Sequence, residues 1–245
     1  MTQDNLPKKH DDRKSVPEIK GTLKRHIVTV PEAIYRASGI KVLGTRIKSF
    51  IFSTDVAILE NHNAQAVMAV YPFTPQLSII DAILNVSQVP VFVGVGGGVT
   101  SGTRTVNIAL HAELHGAHGV VVNAPMPNET IAVLYETLDI PIVATIVSPY
   151  DDIEGKVKAG TRILNVSGGK NTASLVRHCR EIVGPDFPII ATGGPEESQI
   201  LETIAAGANS ITYTPPTSAS LFREIMTRYR EGQKAENLQN NKKEH

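Results

Sequence analysis

Residues 188–216 read PIIATGGPEESQILETIAAGANSITYTPP. A short apolar run, Pro188–Thr192, ends in a glycine pair. An amphipathic helical segment follows over Glu196–Ala206, and Gly207 closes it. Ser210–Thr214 is a second short strand, stopped by Pro215-Pro216. Strand, helix and strand in under thirty residues is a βα unit, whose strands run parallel because the helix carries the chain back.

Working outward from this unit, the same alternation recurs. Strands are predicted at Ile47–Ser53, Ala66–Tyr71, Pro90–Val95, Gly119–Asn123, Pro141–Val147, Arg162–Ser167, Pro188–Thr192 and Ser210–Thr214. Helices are predicted around Asp55–Glu60, Gln76–Leu84, Thr105–His115, Glu129–Leu138, Ile153–Ala159, Thr172–Ile182, Glu196–Ala206 and Ala219–Tyr229. Eight strands, each followed by a helix, is the count that closes a single (β/α)₈ TIM barrel of the α/β class. An open sheet would need the chain to reverse direction midway, and nothing marks such a break. An extra N-terminal helix over Pro31–Ser38, between Val30 and Gly39, is expected to plug the barrel's bottom.

An internal echo supports closure. His115-Gly116-Ala117, Ala159-Gly160-Thr161 and Ala206-Gly207-Ala208 each end a helix with glycine, the residue suited to a left-handed C-cap, and lead into a strand. Seven residues past each glycine stand Asn123, Ser167 and Thr214; five past stand Val121, Asn165 and Thr212. These fall on alternate strands, which supply the same interior layers. Asn123, Ser167 and Thr214 are therefore expected to form a polar layer at the C-terminal mouth. Read more plainly, they are turn residues at strand ends.

Composition narrows the partners. Among 245 residues, Lys plus Arg and Asp plus Glu each number 24, apolar residues make up 41%, and there is one Cys. Balanced charge argues against a dominant polyanion-binding role, and one Cys excludes a disulfide framework. No secretory signal is visible in residues 1–24 and no apolar run could span a bilayer, so a cytoplasmic protein without membrane contact is expected. Residues 1–25 hold seven basic against four acidic side chains. They are read as a disordered arm, residues 234–245 as a disordered tail, and 26–233 as the barrel. No aromatic residues interleave with the arm's charges, so no nucleic-acid contact is expected. A homodimer is compatible with the chain.

The ligand signal lies in the last third. Ser167-Gly168-Gly169-Lys170, Gly193-Gly194-Pro195 and Thr214 through Ser218 follow three consecutive strands. Glycine pairs let backbone amides converge on an anion, and the following helix N-termini face the same pocket. Phosphate binding is therefore expected at Ser167, Gly168, Gly169, Gly193, Gly194, Thr214 and Ser218. Gly96, Gly97 and Gly98 after the third strand are read as a lid or as a flexible surface loop, with Arg104 and Lys170 as clamps.

The segment Ile189–Gly194 with Ala206–Ile211 resembles the final units of ribulose-phosphate-binding barrels. Over nearly its whole length the chain also resembles a bacterial family of barrels labelled only as hydrolases. The motifs are Lys48–Asp55, Val95–Gly98 and Ile211–Pro216. The resemblance implies a phosphate site at Gly193, Gly194 and the end of the eighth strand; the family's catalytic parts map poorly.

The eight His stand at 10, 26, 62, 111, 115, 118, 178 and 245, none at the C-terminal end of a predicted strand, so no metal or other cofactor is expected. Lys170 lies on a loop, unlike a desolvated Schiff-base lysine. Cys179 lies in a helix without an activating partner. Asp55, after Ser53-Thr54, is the carboxylate best placed for proton transfer and equally a helix cap. Asn123, Asn165 and Tyr213 would position substrate. The expected activity is lyase or isomerase chemistry on a small phosphorylated or otherwise anionic metabolite. One rival is a hydrolase in which Asp55 activates water; another is a non-catalytic binding or sensor protein.

Overall fold

A computed structural model describes residues 17, 19, 21–22 and 27–241, with side chains to 233. Eight parallel strands close a barrel: β3 (Ser49–Phe52), β4 (Ala66–Ala69), β5 (Val91–Gly96), β6 (Gly119–Val122), β7 (Ile142–Ile146), β8 (Ile163–Val166), β9 (Ile189–Thr192) and β10 (Ser210–Tyr213), with β10 pairing β3. The helices are α1 (Val56–Leu59), α2 (Leu77–Val86), α3 (Thr103–Leu114), α4 (Asn128–Thr137), α5 (Ile153–Lys158), α6 (Thr172–Val183), α7 (Glu197–Ala205) and α8 (Ser218–Asn241). Each expected strand is found within two residues of its predicted ends.

Strand alternation divides the core in two. Outward residues such as Ile51, Val67, Val93, Val120, Leu164 and Ile211 pack under the helices. Inward residues Phe50, Ala66, Met68, Phe92, Val121, Val143, Ile163 and Ile190 fill the barrel's lower half. Phe50 and Phe92 meet edge to face at 5.1 Å between ring centroids. Higher up the inward residues turn polar, which is what leaves a site at the C-terminal mouth. The three helix-ending glycines, Gly116, Gly160 and Gly207, have φ of 95°, 115° and 113°, as a left-handed cap requires.

Three features at the ends of the chain depart from expectation. The segment read as a plugging helix is a 3₁₀ turn, Glu32–Arg36, packed beside α7 on the outer wall, with Val30, Ala33 and Ile34 in the outer core. The plug is instead an antiparallel hairpin, β1 (Ile40–Val42) and β2 (Thr45–Ile47), whose Ile40, Val42 and Ile47 join the inner core. The 3₁₀ turn lies against α7, and α8 makes no substantial packing contact with any other described element. Its Phe222, Ile225 and Tyr229 are exposed, and the helix continues to Asn241, into the segment read as a tail. Most of the N-terminal arm, and residues 242–245, lie outside the described residues. No helix of the described residues is long and apolar enough to cross a membrane.

Candidate functional site

The loops after β8, β9 and β10 surround a cavity of about 580 Å³, lined among others by Ser167, Lys170, Thr192, Gly194, Thr212 and Tyr213. Thr172, on the first turn of α6, is buried and organises its wall. Its Oγ1 accepts from the Gly168 amide at 3.1 Å, donates to the Gly169 carbonyl at 2.8 Å and lies 3.3 Å from Thr192 Oγ1. The Gly193 amide donates to the Thr212 carbonyl at 3.2 Å. Two of the amides expected to cradle an anion are thus spent on the fold. The Gly194 amide is not.

Gly194 has φ +76°, and a Cβ there would lie 2.5 Å from Gln199 Oε1, which accepts from the Glu196 amide at 3.3 Å. A side chain at 194 would therefore strain the turn and crowd the cap of α7. Gly193 is needed for packing: its Cβ would fall 2.7 Å from Ile211 and 2.9 Å from Ile200. Lys170 stands exposed on the lip, and Thr214 is exposed beside it.

Below the loops lies a polar ladder. Asn165 Nδ2 donates to Thr145 Oγ1 at 3.2 Å, and Thr145 Oγ1 donates to Asn123 Oδ1 at 3.4 Å. The donors run one way, so Asn165 Oδ1 is left over. It is buried without a partner, and so is Thr212 Oγ1. Asn165 and Thr212 are 8% and 3% exposed, and such groups cost stability unless something bonds them. The other orphaned buried atoms among the described residues, His118 Nδ1 and Thr161 Oγ1, lie on residues that precede β6 and β8, at the opposite end.

Asp55 and Ser218, expected in different roles, meet each other. Asp55 caps α1 through Oδ1, which accepts from the Ala57 amide at 2.9 Å, while Oδ2 accepts from Ser218 Oγ at 2.5 Å. The Ser218 hydroxyl, and after it the α1 amides, hold the carboxyl below its usual range. Neither residue lines the cavity; together they tie the loop after β3 to the start of α8.

Gly96, Gly97 and Gly98 border a second, smaller cavity of about 210 Å³ with Tyr71, Thr74 and Asn123. So the expected polar layer is shared between two cavities, Asn123 in this one and Ser167 and Thr214 in the other. The glycine loop is tied down. Gly97 donates to the Thr100 carbonyl at 2.8 Å, Gly98 to the Pro125 carbonyl at 3.0 Å, and Thr105 Oγ1 to the Thr100 carbonyl at 3.0 Å. Its tip, Val99, stands out at 90% exposure, with Gly98, Ser101 and Gly102 also exposed. Arg104 is exposed on the first turn of α3, and the Tyr71 hydroxyl accepts from the Gln76 amide at 2.8 Å. Cys179 is fully buried, which pushes its thiol up to about 11.

No protein-family model and no curated protein matches the chain. Solved structures do. A phosphonopyruvate hydrolase is similar with a TM-score of 0.60 at 10% identity, over 82% of this chain and 85% of that one. The 4-hydroxy-tetrahydrodipicolinate synthase of Methylacidiphilum fumariolicum SolV is similar with a TM-score of 0.53 at 12% identity, over 72% and 68%. The dihydrodipicolinate synthase of Aquifex aeolicus matches at 17% identity and a TM-score of 0.49, over 62% of this chain and 58% of that one. At these identities the first two show a likeness of fold alone, a TIM barrel.

Thr172 was read as a helix start beside the pocket, whereas Thr145 and Thr192 were not singled out as site residues. The signal for Thr145 was present: it lies two residues beyond the inward Val143, so strand alternation turns it into the barrel.

Proposed function

We propose that the chain is a barrel enzyme acting on a small phosphorylated or otherwise anionic metabolite that also carries a hydroxyl. The observation that carries this reading is the orphaned pair below the mouth loops, Thr212 in the cavity lining and Asn165 on the neighbouring polar ladder. Thr212 Oγ1 can donate to a ligand oxygen, while Asn165 Oδ1 can only accept, and so calls for a donor. Above them the Gly194 amide, the Ser167 and Thr214 hydroxyls and Lys170 suit an anion. The similar solved structures include a phosphonopyruvate hydrolase, whose name gives a small phosphonate anion as its substrate.

Lyase or isomerase chemistry without a catalytic metal fits the lining, which offers one carboxylate, Glu202, and no His. Asp55, held ionised and engaged at both oxygens, suits the ordering of two loops better than proton abstraction. Hydrolysis through Asp55 is correspondingly less favoured. One observation supports a binding or sensor role instead: Lys170 and Glu202 are the charged residues lining the cavity.

The test is a thermal-shift screen against phosphorylated sugars, hydroxy and keto acids and nucleotides, with product analysis on each hit. Stabilisation by hydroxylated anions with turnover supports the enzyme, and stabilisation without turnover the sensor. No shift with any anion contradicts both.

A further inference from the structure

His111, in the last turn of α3, and His115, its C-cap, lie four residues apart, so one helical turn brings their rings to the same face. The rings stack with centroids 3.9 Å apart. From the neighbouring helix α2, Asp81 Oδ1 lies 2.7 Å from His111 Nε2 and 2.9 Å from His115 Nδ1. All three candidate ligand atoms are within 4.8 Å of one another. His115 caps the end of α3 that leads into β6, so the cluster lies on the helical shell and away from the mouth cavity. The expectation of no metal site considered strand ends alone and passed over this helix face.

We propose that Asp81, His111 and His115 bind a divalent first-row transition ion, with Zn²⁺ as the reference, and that the ion fastens α2 to α3. Two imidazoles and one carboxylate are a donor set that zinc and its neighbours accept. Ligand atoms arranged tetrahedrally at about 2.0–2.1 Å from zinc stand roughly 3.3 Å apart. The two nitrogen–oxygen spacings need to open by only about half an ångström to reach that value, which small side-chain rotations allow. Each facing ring nitrogen must offer its lone pair, so the neutral rings carry their protons on the outer nitrogens. His115 is about half exposed and Asp81 and His111 less so, leaving the outer side of the cluster open to a completing water. The ion is structural here: it joins two helices and touches none of the residues assigned to the mouth.

The full chain, stripped with a chelator, is titrated with ZnCl₂ by calorimetry and with Co²⁺ by visible absorption. The expected result is one saturable ion per chain, a melting temperature raised by about 3 °C or more, and d–d bands of a four- or five-coordinate cobalt. The double variant His111→Gln/His115→Gln should keep the metal-free melting temperature and lose affinity by about a hundredfold or more. Should that variant not fold, Asp81→Ser serves for the same comparison. Absence of saturable uptake, or uptake undiminished in the variants, overturns the site.

Discussion

Thr212 places a hydroxyl where nothing in the fold uses it, and that makes it an informative single residue. A group kept for stability is bonded, whereas one kept for a ligand is left waiting. Thr212→Val is therefore expected to leave thermal stability unchanged or slightly raised, since removing an unpaired buried polar atom costs nothing. The same change should weaken binding of the best anion from the screen by about tenfold, as measured by calorimetry. Asp55 gives the opposite case, a polar residue fully used by the fold. Its carboxyl titrates lower in the folded chain than in the unfolded one, chiefly through the Ser218 hydroxyl. The stability this link contributes is present above the ordinary carboxylate range and is lost as the pH falls through the folded value. Ser218→Ala should cost about 1.5 kcal/mol at neutral pH, the lower end for one hydrogen bond to a charged group. The difference from wild type should shrink to nothing in strong acid, as urea unfolding at a series of pH values would show. From sequence alone Asp55 was equally a cap and a proton-transfer group, because both roles ask for a carboxylate at a helix start. The hydrogen bond from Ser218, 163 residues away, adds weight to the structural role.

At the scale of elements, the eight strands were legible because each is a short apolar run bounded by Gly, Pro, Asn or Ser, repeated often enough to count. The hairpin β1–β2 was missed for a physical reason. Its strands are three residues each, and its turn is Leu43-Gly44 with φ of 44° and 87°. Such a turn asks for positive φ at both positions, for which Asn-Gly is the usual signature, and leucine conceals it. Leu43 is also 68% exposed, so it has little packing to offset a left-handed backbone. Leu43→Asn should stabilise the protein by about 1 kcal/mol, raising the melting temperature by roughly 2–4 °C for a domain of this size. An unchanged or lower melting temperature would mean that the leucine is held by contacts worth more than its backbone strain. The departure of α8 was illegible for another reason. A helix of the right length after the last strand looks the same in sequence whether it packs or not.

For the whole molecule, a closed barrel, plugged below by the hairpin and open above, leaves a single end at which polar side chains accumulate. That division was legible in the glycine echo, which set Asn123, Ser167 and Thr214 at the mouth, although they divide between two cavities. Which backbone amides remain free there was not visible, because Thr172 and the Thr212 carbonyl take two of them only in three dimensions. The distal part of α8 stands apart from the barrel, so a chain ending at residue 230 should melt within about 1 °C of the full chain. A larger loss would show that the helix packs in solution. The central claim, an anion site over the ends of β8, β9 and β10, is tested most directly by mapping backbone amide shifts during titration. Inorganic phosphate and the strongest hit from the screen would each be titrated into the ¹⁵N-labelled chain. The account predicts saturable shifts concentrated at Gly169, Lys170, Gly194 and Thr214, with the amides of the hairpin and of Gly97–Thr100 unmoved. Shifts that cluster instead around Gly97–Thr100 and Asn123, or that fail to saturate anywhere, would contradict it.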